Sequence, residues 1–295
     1  MNETKRWQLF ANFILVIFSV AAILPFLILI SASFSQENEI LSNGYSVLPR
    51  SFSLNAYKYI ATRWSSIGRA YLMTIIITAS GTFISMLITS MFGYVLSYDD
   101  VPGTALMNFL CIFTMLFSGG IVGSYFIWSN VFHVRDTVFA LLLPNLLMNA
   151  FNVILVKNYT KNSIPLSIRE SARIDGCSEI GIFFRIVMPL FVPINATIGL
   201  MTGLAYWNDW TNGLYYLTER NGNRYYTIQL LLNRLSENIS WLAKNAQASG
   251  MNAGDFPSTT ARMAIGLIGL LPVLIIYPFL QKYFVKGITV GAVKE

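Results

Sequence analysis

Six stretches of this chain contain no Asp, Glu, Lys or Arg: Gln8–Phe34, Ala70–Tyr98, Thr104–Trp128, Thr137–Val156, Ile186–Trp207 and Met263–Gln281. Each reaches the roughly 20 residues that a helix rising 1.5 Å per residue needs to cross the hydrocarbon core of a bilayer. Inside that core every backbone amide and carbonyl must be satisfied by the segment itself, so only helices and closed barrels can span. The runs are continuously apolar and lack the period-two alternation of a barrel strand. The sequence therefore predicts an all-α polytopic membrane protein with six transmembrane helices. Its composition agrees, with 12% charged residues against about 25% in a soluble domain.

The first run has a second reading. Lys5 and Arg6, an apolar stretch and then Ser31-Ala32-Ser33 imitate a signal peptide with its small-residue cleavage site. An h-region spans only about 7–15 residues, so the longer run reads as a retained first helix. Six crossings place both termini on one side. With the N-terminus inside, ten of the 20 Lys and Arg residues fall on each side, so the positive-inside rule does not fix the orientation. The net charge of +6 is ordinary for a membrane protein and does not point to nucleic acid. Cys111 and Cys177 fall on opposite sides of this topology and build no disulfide framework. His133 is the sole histidine, with no Cys or acidic cluster around it, and no metal site is expected. One transmembrane domain over 1–295 is expected, with core spans about 68–285 and a large loop about 208–260.

One segment does not belong in a bilayer: Pro165-Leu-Ser-Ile-Arg-Glu170-Ser-Ala-Arg-Ile-Asp175-Gly176, followed by Ile186, Met188 and Pro189. Ser167 and Glu170 fit a capping box just after Pro165, and Gly176 is placed to end the helix in the left-handed conformation. A short amphipathic helix over about 167–176, presented to water between spans four and five, is expected. Local physics leaves two readings open. Glu170 caps its own helix, worth about 1 kcal/mol, or the helix is a docking surface.

The spacing carries a resemblance. Glu170-Ser171-Ala172, three residues, Gly176, nine residues, Ile186, one residue and Met188-Pro189 resemble the EAA motif of ABC-importer permeases. That pattern reads Glu-Ala-Ala, three residues, Gly, nine residues, Ile, one residue, Leu-Pro. Asp175 beside Gly176 and Phe184 ahead of Ile186 are similar to the sugar-importer branch, as are Tyr206-Trp207-Asn208-Asp209-Trp210, Lys286-Gly287 and Gly291-Ala292-Val293-Lys294. The resemblance covers essentially the whole chain and is maltose-permease-like. Asp99-Asp100 depart from it, since such permeases often carry basic residues in that connection.

The resemblance implies the fold of a type I ABC-importer permease, with a carbohydrate, and more narrowly an oligosaccharide, as cargo. The C-terminal run from Tyr277 to Gly287 is what points to oligosaccharides. It implies a second permease, two ATPase subunits and an extracytoplasmic sugar-binding protein as partners, in the plasma membrane of a bacterium with both termini cytoplasmic. ATP and Mg would be held by the ATPase, because no G-x-x-x-x-G-K-[ST] occurs here and this chain binds no cofactor of its own. It also implies that the helix seats in a groove of the ATPase. Glu170 would pair there with an Arg or backbone amide, Ala172 would stay small for close seating, and Gly176 would set the exit angle. Ser171, Asp175, Ile186 and Pro189 complete the motif.

Asn145, Asn149 and Asn152 fall within about 60° on one face if the fourth span is a continuous helix. Such amides would line a path for hydroxyl-rich cargo, or would be helix–helix glue with the partner permease. Pro144 is placed to kink the span there. Tyr125, Trp128, Tyr206, Trp207 and Trp210 lie near the outer surface, as sugar-stacking rings or as an interfacial belt. Ser118-Gly119-Gly120, Gly123, Gly199 and Gly203 would allow close helix approach. An importer for another solute, such as a polyamine or phosphate, is the nearest rival. A membrane-embedded enzyme or a secondary transporter would need ionisable groups that the spans lack.

Overall fold

A helix that is apolar all round is stable only where water is absent, and the first helix is of this kind. Residues 7–33 run 27 residues without a charge, about 40 Å of helix. Apolar side chains from Trp7 to Ile30 stand exposed along its length. The computed structural model describes residues 2–248, 258–272 and 274–275. In chain order its helices are α1 (Asn2–Ser33), α2 (Glu37–Asn43), α3 (Asn55–Ala61), α4 (Trp64–Leu96) and α5 (Thr104–Leu116). Then come α6 (Gly120–Phe126), α7 (Phe139–Leu142), α8 (Ala150–Ser163), α9 (Leu166–Ile174), α10 (Glu179–Ile182) and α11 (Met188–Leu190). The series closes with α12 (Val192–Asn208), α13 (Thr211–Tyr216), α14 (Ile228–Ala248) and α15 (258–272). The chain is all-α as predicted. Among the described residues the one extended pairing is a bridge between Ser35 and Phe52.

The described residues form two compact units, one from Met1–Gly68 with Leu231–Ile275 and the other from Arg69–Leu230. In the first, Phe34 stacks between Phe52 and Tyr57, with ring centroids at 5.7 and 4.9 Å. Glu37 reaches the first turn of α15. Its carboxylate accepts from the amides of Thr259 (2.7 Å) and Thr260 (2.9 Å) and from the hydroxyls of Ser258 and Thr260. A carboxylate there satisfies otherwise orphaned amides and meets the positive end of the helix dipole. Burial, the largest influence, pushes the Glu37 carboxyl up. The hydrogen bonds from Thr260 and Thr259 together outweigh it and hold the group below its ordinary value.

In the second unit α4 is the central element. A Cβ at Gly81 would lie 2.5 Å from the Tyr206 ring of α12, and one at Gly93 would lie 2.7 Å from Val156 of α8. Only glycine lets the α4 backbone lie so close to the Tyr206 ring and the Val156 side chain. Polar side chains pin the same packing. Ser90 donates to Asn195 (2.7 Å), Asn152 to Thr202 (3.2 Å) and Lys157 to Asn108 (2.7 Å). Tyr94, Tyr98, Val156, Ala172, Ile182, Phe183 and Phe191 form a core at one end. Ile77, Ala140, Leu141, Tyr206, Tyr216 and Leu230 form another.

The six charge-free runs do not become six straight helices. Among the described residues two helices, Trp7–Ser33 and Trp64–Leu96, are long and apolar enough to cross a membrane, and one bent pair adds a third. The predicted third span stops at Leu116 and resumes at Gly120, whose φ of +72° breaks the helix. The space around Gly119, Gly120 and Gly123 is open, so these glycines shape a break and do not mediate close packing. Gly199 does, since a Cβ there would meet Met86 Sδ at 2.7 Å, while Gly203 has ordinary contact distance. The predicted fourth span is interrupted between α7 and α8. The fifth bends by 82° between Glu179–Leu190 and Val192–Asn208, where Pro193 removes a backbone donor. The sixth, Met263–Gln281, is helical over its described part, and 273 and 276–281 lie outside the described residues. Lys286, Gly287, Gly291, Ala292, Val293 and Lys294 also lie outside them.

Candidate functional site

α9 is the predicted amphipathic helix, and it starts earlier than the capping box implied. Pro165 is its N-cap with φ −61° and ψ 137°, and Ser167 lies inside the helix. No side-chain cap bond forms at this end, because the proline ring carries no acceptor to offer the first-turn amides. The C-terminal end is as predicted. Gly176 has φ +79°. Its amide donates to the Arg173 carbonyl and the Cys177 amide to the Ala172 carbonyl, both at 3.0 Å. These two bonds are the Schellman pattern that reverses the chain after a helix.

The faces of α9 separate cleanly. Arg169 and Ala172 point inward, and Ala172 is 5% exposed within the core of the second unit. Its small side chain is therefore explained by packing on its own chain. Leu166, Glu170 and Ile174 lie on the outward face at helical spacing, with Ile174 86% exposed. The Glu170 carboxylate is exposed and makes no hydrogen bond or ion pair with the described residues, so it does not cap its own helix. Ser171 is exposed and its hydroxyl donates to the Ile168 carbonyl. Asp175 is the exposed C-cap. Ile186 lies in the π-helical turn Phe183–Val187, packed against the core, and Pro189 opens α11 with its side chain exposed. The motif thus forms one continuous elbow running from α9 to α12. Leu166 and Ile174 were missed as outward contacts, although their eight-residue separation with Glu170 between them was a readable signal.

Beneath α9 lies a charged layer. Glu179 of α10 sits between Arg169 and Arg173, bonding Arg173 Nε and lying 3.4 Å from Arg169 Nε. The hydrogen bond to Glu179 pushes the Arg173 guanidinium above its ordinary value. Arg169 also lies over the Tyr98 ring at 3.7 Å and within 3.7 Å of Asp100. Lys161 of α8 pairs with Asp99 at 2.9 Å. A cavity of about 320 Å³ opens beside this layer, walled by Met91, Tyr94, Val95, Phe183 and Phe184.

The three asparagines do not share a helix face. Asn145 lies in the break with φ +61°, Asn149 is the N-cap of α8, and only Asn152 lies on the helix. The Asn149 side chain accepts from the amides of Phe151 (2.9 Å) and Asn152 (3.3 Å). Asn152 is buried and bonds Thr202 of α12, so it joins two helices of its own chain. Asn145 and Asn149 are exposed. Pro144 does interrupt the span. Its freed carbonyl accepts from Asn212 at 2.9 Å, and that of Leu142 from Tyr206 at 2.8 Å, as a broken helix within a membrane requires. Of the aromatics, Tyr206 and Trp207 are buried, Tyr125 stacks on Tyr216, and Trp210 stands exposed.

The site is thus an exposed amphipathic elbow with an unspent carboxylate, set between apolar helices. Residues 59–290 match the family described as "Binding-protein-dependent transport system inner membrane component". The chain belongs to this family. As an importer permease it is a transport subunit, and its relatives are permeases of transport systems and not enzymes. It is 39% identical over 280 residues to the "Polygalacturonan/rhamnogalacturonan transport system permease protein YtcP" of Bacillus subtilis, covering 95% of each chain. It is 28% identical over 299 residues to the "Arabinooligosaccharides transport system permease protein AraQ" of Halalkalibacterium halodurans, covering 98% and 96%. Among solved structures, a bacterial ABC transporter involved in the import of the acidic polysaccharide alginate matches 96% of this permease and 98% of its own chain. The TM-score is 0.79 at 26% identity.

Proposed function

We propose that this permease carries oligosaccharides, fragments of acidic polysaccharides first among them, through an ATP-driven importer. The observation that carries the reading is the end-to-end likeness to a polygalacturonan/rhamnogalacturonan permease. The alginate transporter supports it, since its cargo is also an acidic polysaccharide. The working assembly pairs this chain with a second permease, two ATPase subunits that hold ATP and Mg, and an extracytoplasmic binding protein. Six crossings, several of them broken helices, place both termini and α9 in the cytoplasm of a bacterial cell.

In this assembly the outward face of α9, with Glu170 at its centre and Ile174 beside it, seats in the ATPase groove. Closure of the ATPases around ATP displaces α9, and the elbow through Gly176, Ile186 and Pro189 passes the displacement to α12. The break around Pro144, with exposed Asn145 and Asn149, borders the translocation path. Asn152 holds α8 to α12 beside it.

The test is ATP hydrolysis by the reconstituted complex with its binding protein. Oligogalacturonides, rhamnogalacturonan fragments, arabino-oligosaccharides, maltodextrins and a polyamine are screened as cargo. Stimulation by one of the oligosaccharides is expected, strongest with the acidic ones. Stimulation by the polyamine and by none of the saccharides would overturn the cargo assignment.

A further inference from the structure

α9 is joined by backbone only to α8, through Pro165, and to α10, through Gly176. A lever that also moves α4 needs a lateral contact, and Arg169 makes one. Its side chain is 7% exposed, and its guanidinium lies 3.7 Å from Asp100 Oδ1 and 3.7 Å over the Tyr98 ring. Both partners belong to the connection that leaves α4. Its Nε faces Glu179 of α10 at 3.4 Å. We infer that Arg169 is a positioning residue for coupling: it clamps α9 to the Tyr98 end of α4, so that displacing α9 moves that span together with α12. This rests on α9 being the helix that meets the ATPase.

The chemistry of the clamp suits arginine. A planar guanidinium can lie flat on a ring while its edge faces two carboxylates, which the compact ammonium of lysine cannot do. The contacts are long, and Arg169 Nε has no partner in hydrogen-bond geometry. Asp100 and Glu179 are more than half or half exposed, so water screens the pairs and they add little to stability. Lys161 on Asp99 ties α8 to the same connection at 2.9 Å. The acidic pair Asp99-Asp100, which departs from the resemblance drawn on sequence, thereby acquires a reason. The bases that grip this connection come from α8 and α9. Beyond Tyr98 the contact continues into the core through Tyr94, whose ring centroid lies 5.0 Å from that of Tyr98 and 5.4 Å from that of Phe183.

The test is amide hydrogen exchange on the assembled transporter in nanodiscs, nucleotide-free against ATP with vanadate. In the wild type, α9 and residues 97–101 are expected to respond to nucleotide together. In Arg169→Gln, α9 should still respond while the response at 97–101 falls about fivefold, within the range that mutations in coupling networks produce. Arg169→Lys, which keeps the charge and loses the ring contact, should fall between. Asp100→Asn alters an exposed side chain and should weaken the response in the same direction. It decides alone if Arg169→Gln does not assemble. A response at 97–101 that is undiminished in the assembled variants overturns the clamp and leaves the docking reading intact. A silent α9 in the wild type removes the docking reading, and the clamp with it.

Discussion

Glu170 is surrounded by side chains that have found partners, and it has none among the described residues. Arg173 is bonded to Glu179, and Arg169 is enclosed by Tyr98, Asp100 and Glu179. Glu170→Lys is therefore expected to insert and fold normally, yet to abolish uptake and release the ATPase during co-purification; normal uptake with that variant would count against docking. Asn149 has a more local task. Removing its cap in Asn149→Ala should cost about 1 kcal/mol of stability, and Asn149→Ser should restore it. If the exposed amide also borders the path, Asn149→Ser will regain thermal stability without regaining uptake. Glu37 supplies a pH-dependent element. Its folded-state carboxyl is held below the ordinary value, so its contribution is complete above the unfolded pKa and disappears as pH falls through the folded one. Glu37→Gln should lower the melting temperature at neutral pH, with the gap to wild type closing in acid. A gap that persists in acid would remove the carboxylate's charge as its cause. The residues of the motif were legible as a pattern, but their directions were not. Spacing alone located Glu170 and Gly176. That Ala172 faces its own core and Arg169 lies buried depends on Tyr98 and Asp100, which are distant in sequence.

At the scale of elements, the motif works as an elbow whose angles are set by Gly176 and Pro193. Nothing lies within 4 Å of a Cβ built on Gly176, so its φ of +79° is the sole obstacle to substitution. Gly176→Ala should cost about 1–2 kcal/mol through the left-handed backbone, and Gly176→Asn less; equal melting temperatures for all three would contradict the Schellman ending. Apolar continuity read the membrane correctly as a solvent for these helices but misread their continuity. A run without charge reports the environment of a segment and says little about its hydrogen bonding. The third span breaks where Gly120 takes a positive φ, and the fourth around Pro144, whose carbonyl is rescued by Asn212 from far along the chain. The proline was visible in the sequence, but the donor that makes the break tolerable was not.

The whole molecule is a transport subunit with two contrasting exposed surfaces. α1 is apolar on every side, and α9 presents Leu166, Glu170 and Ile174 outward. Charge counts left the orientation undecided, and the proposed docking of α9 supplies the direction to be tested. The structure supplies its own reporter, because Cys177 is exposed directly after Gly176 while Cys111 is buried. The most direct measurement is labelling of Cys177 by a membrane-impermeant maleimide in sealed right-side-out and inside-out vesicles, with and without the ATPase subunits. Labelling only in inside-out vesicles, and protection of Cys177 once the ATPase is bound, is the expected result. Labelling from the cell exterior, or labelling unchanged by the ATPase, would contradict a cytoplasmic docking helix.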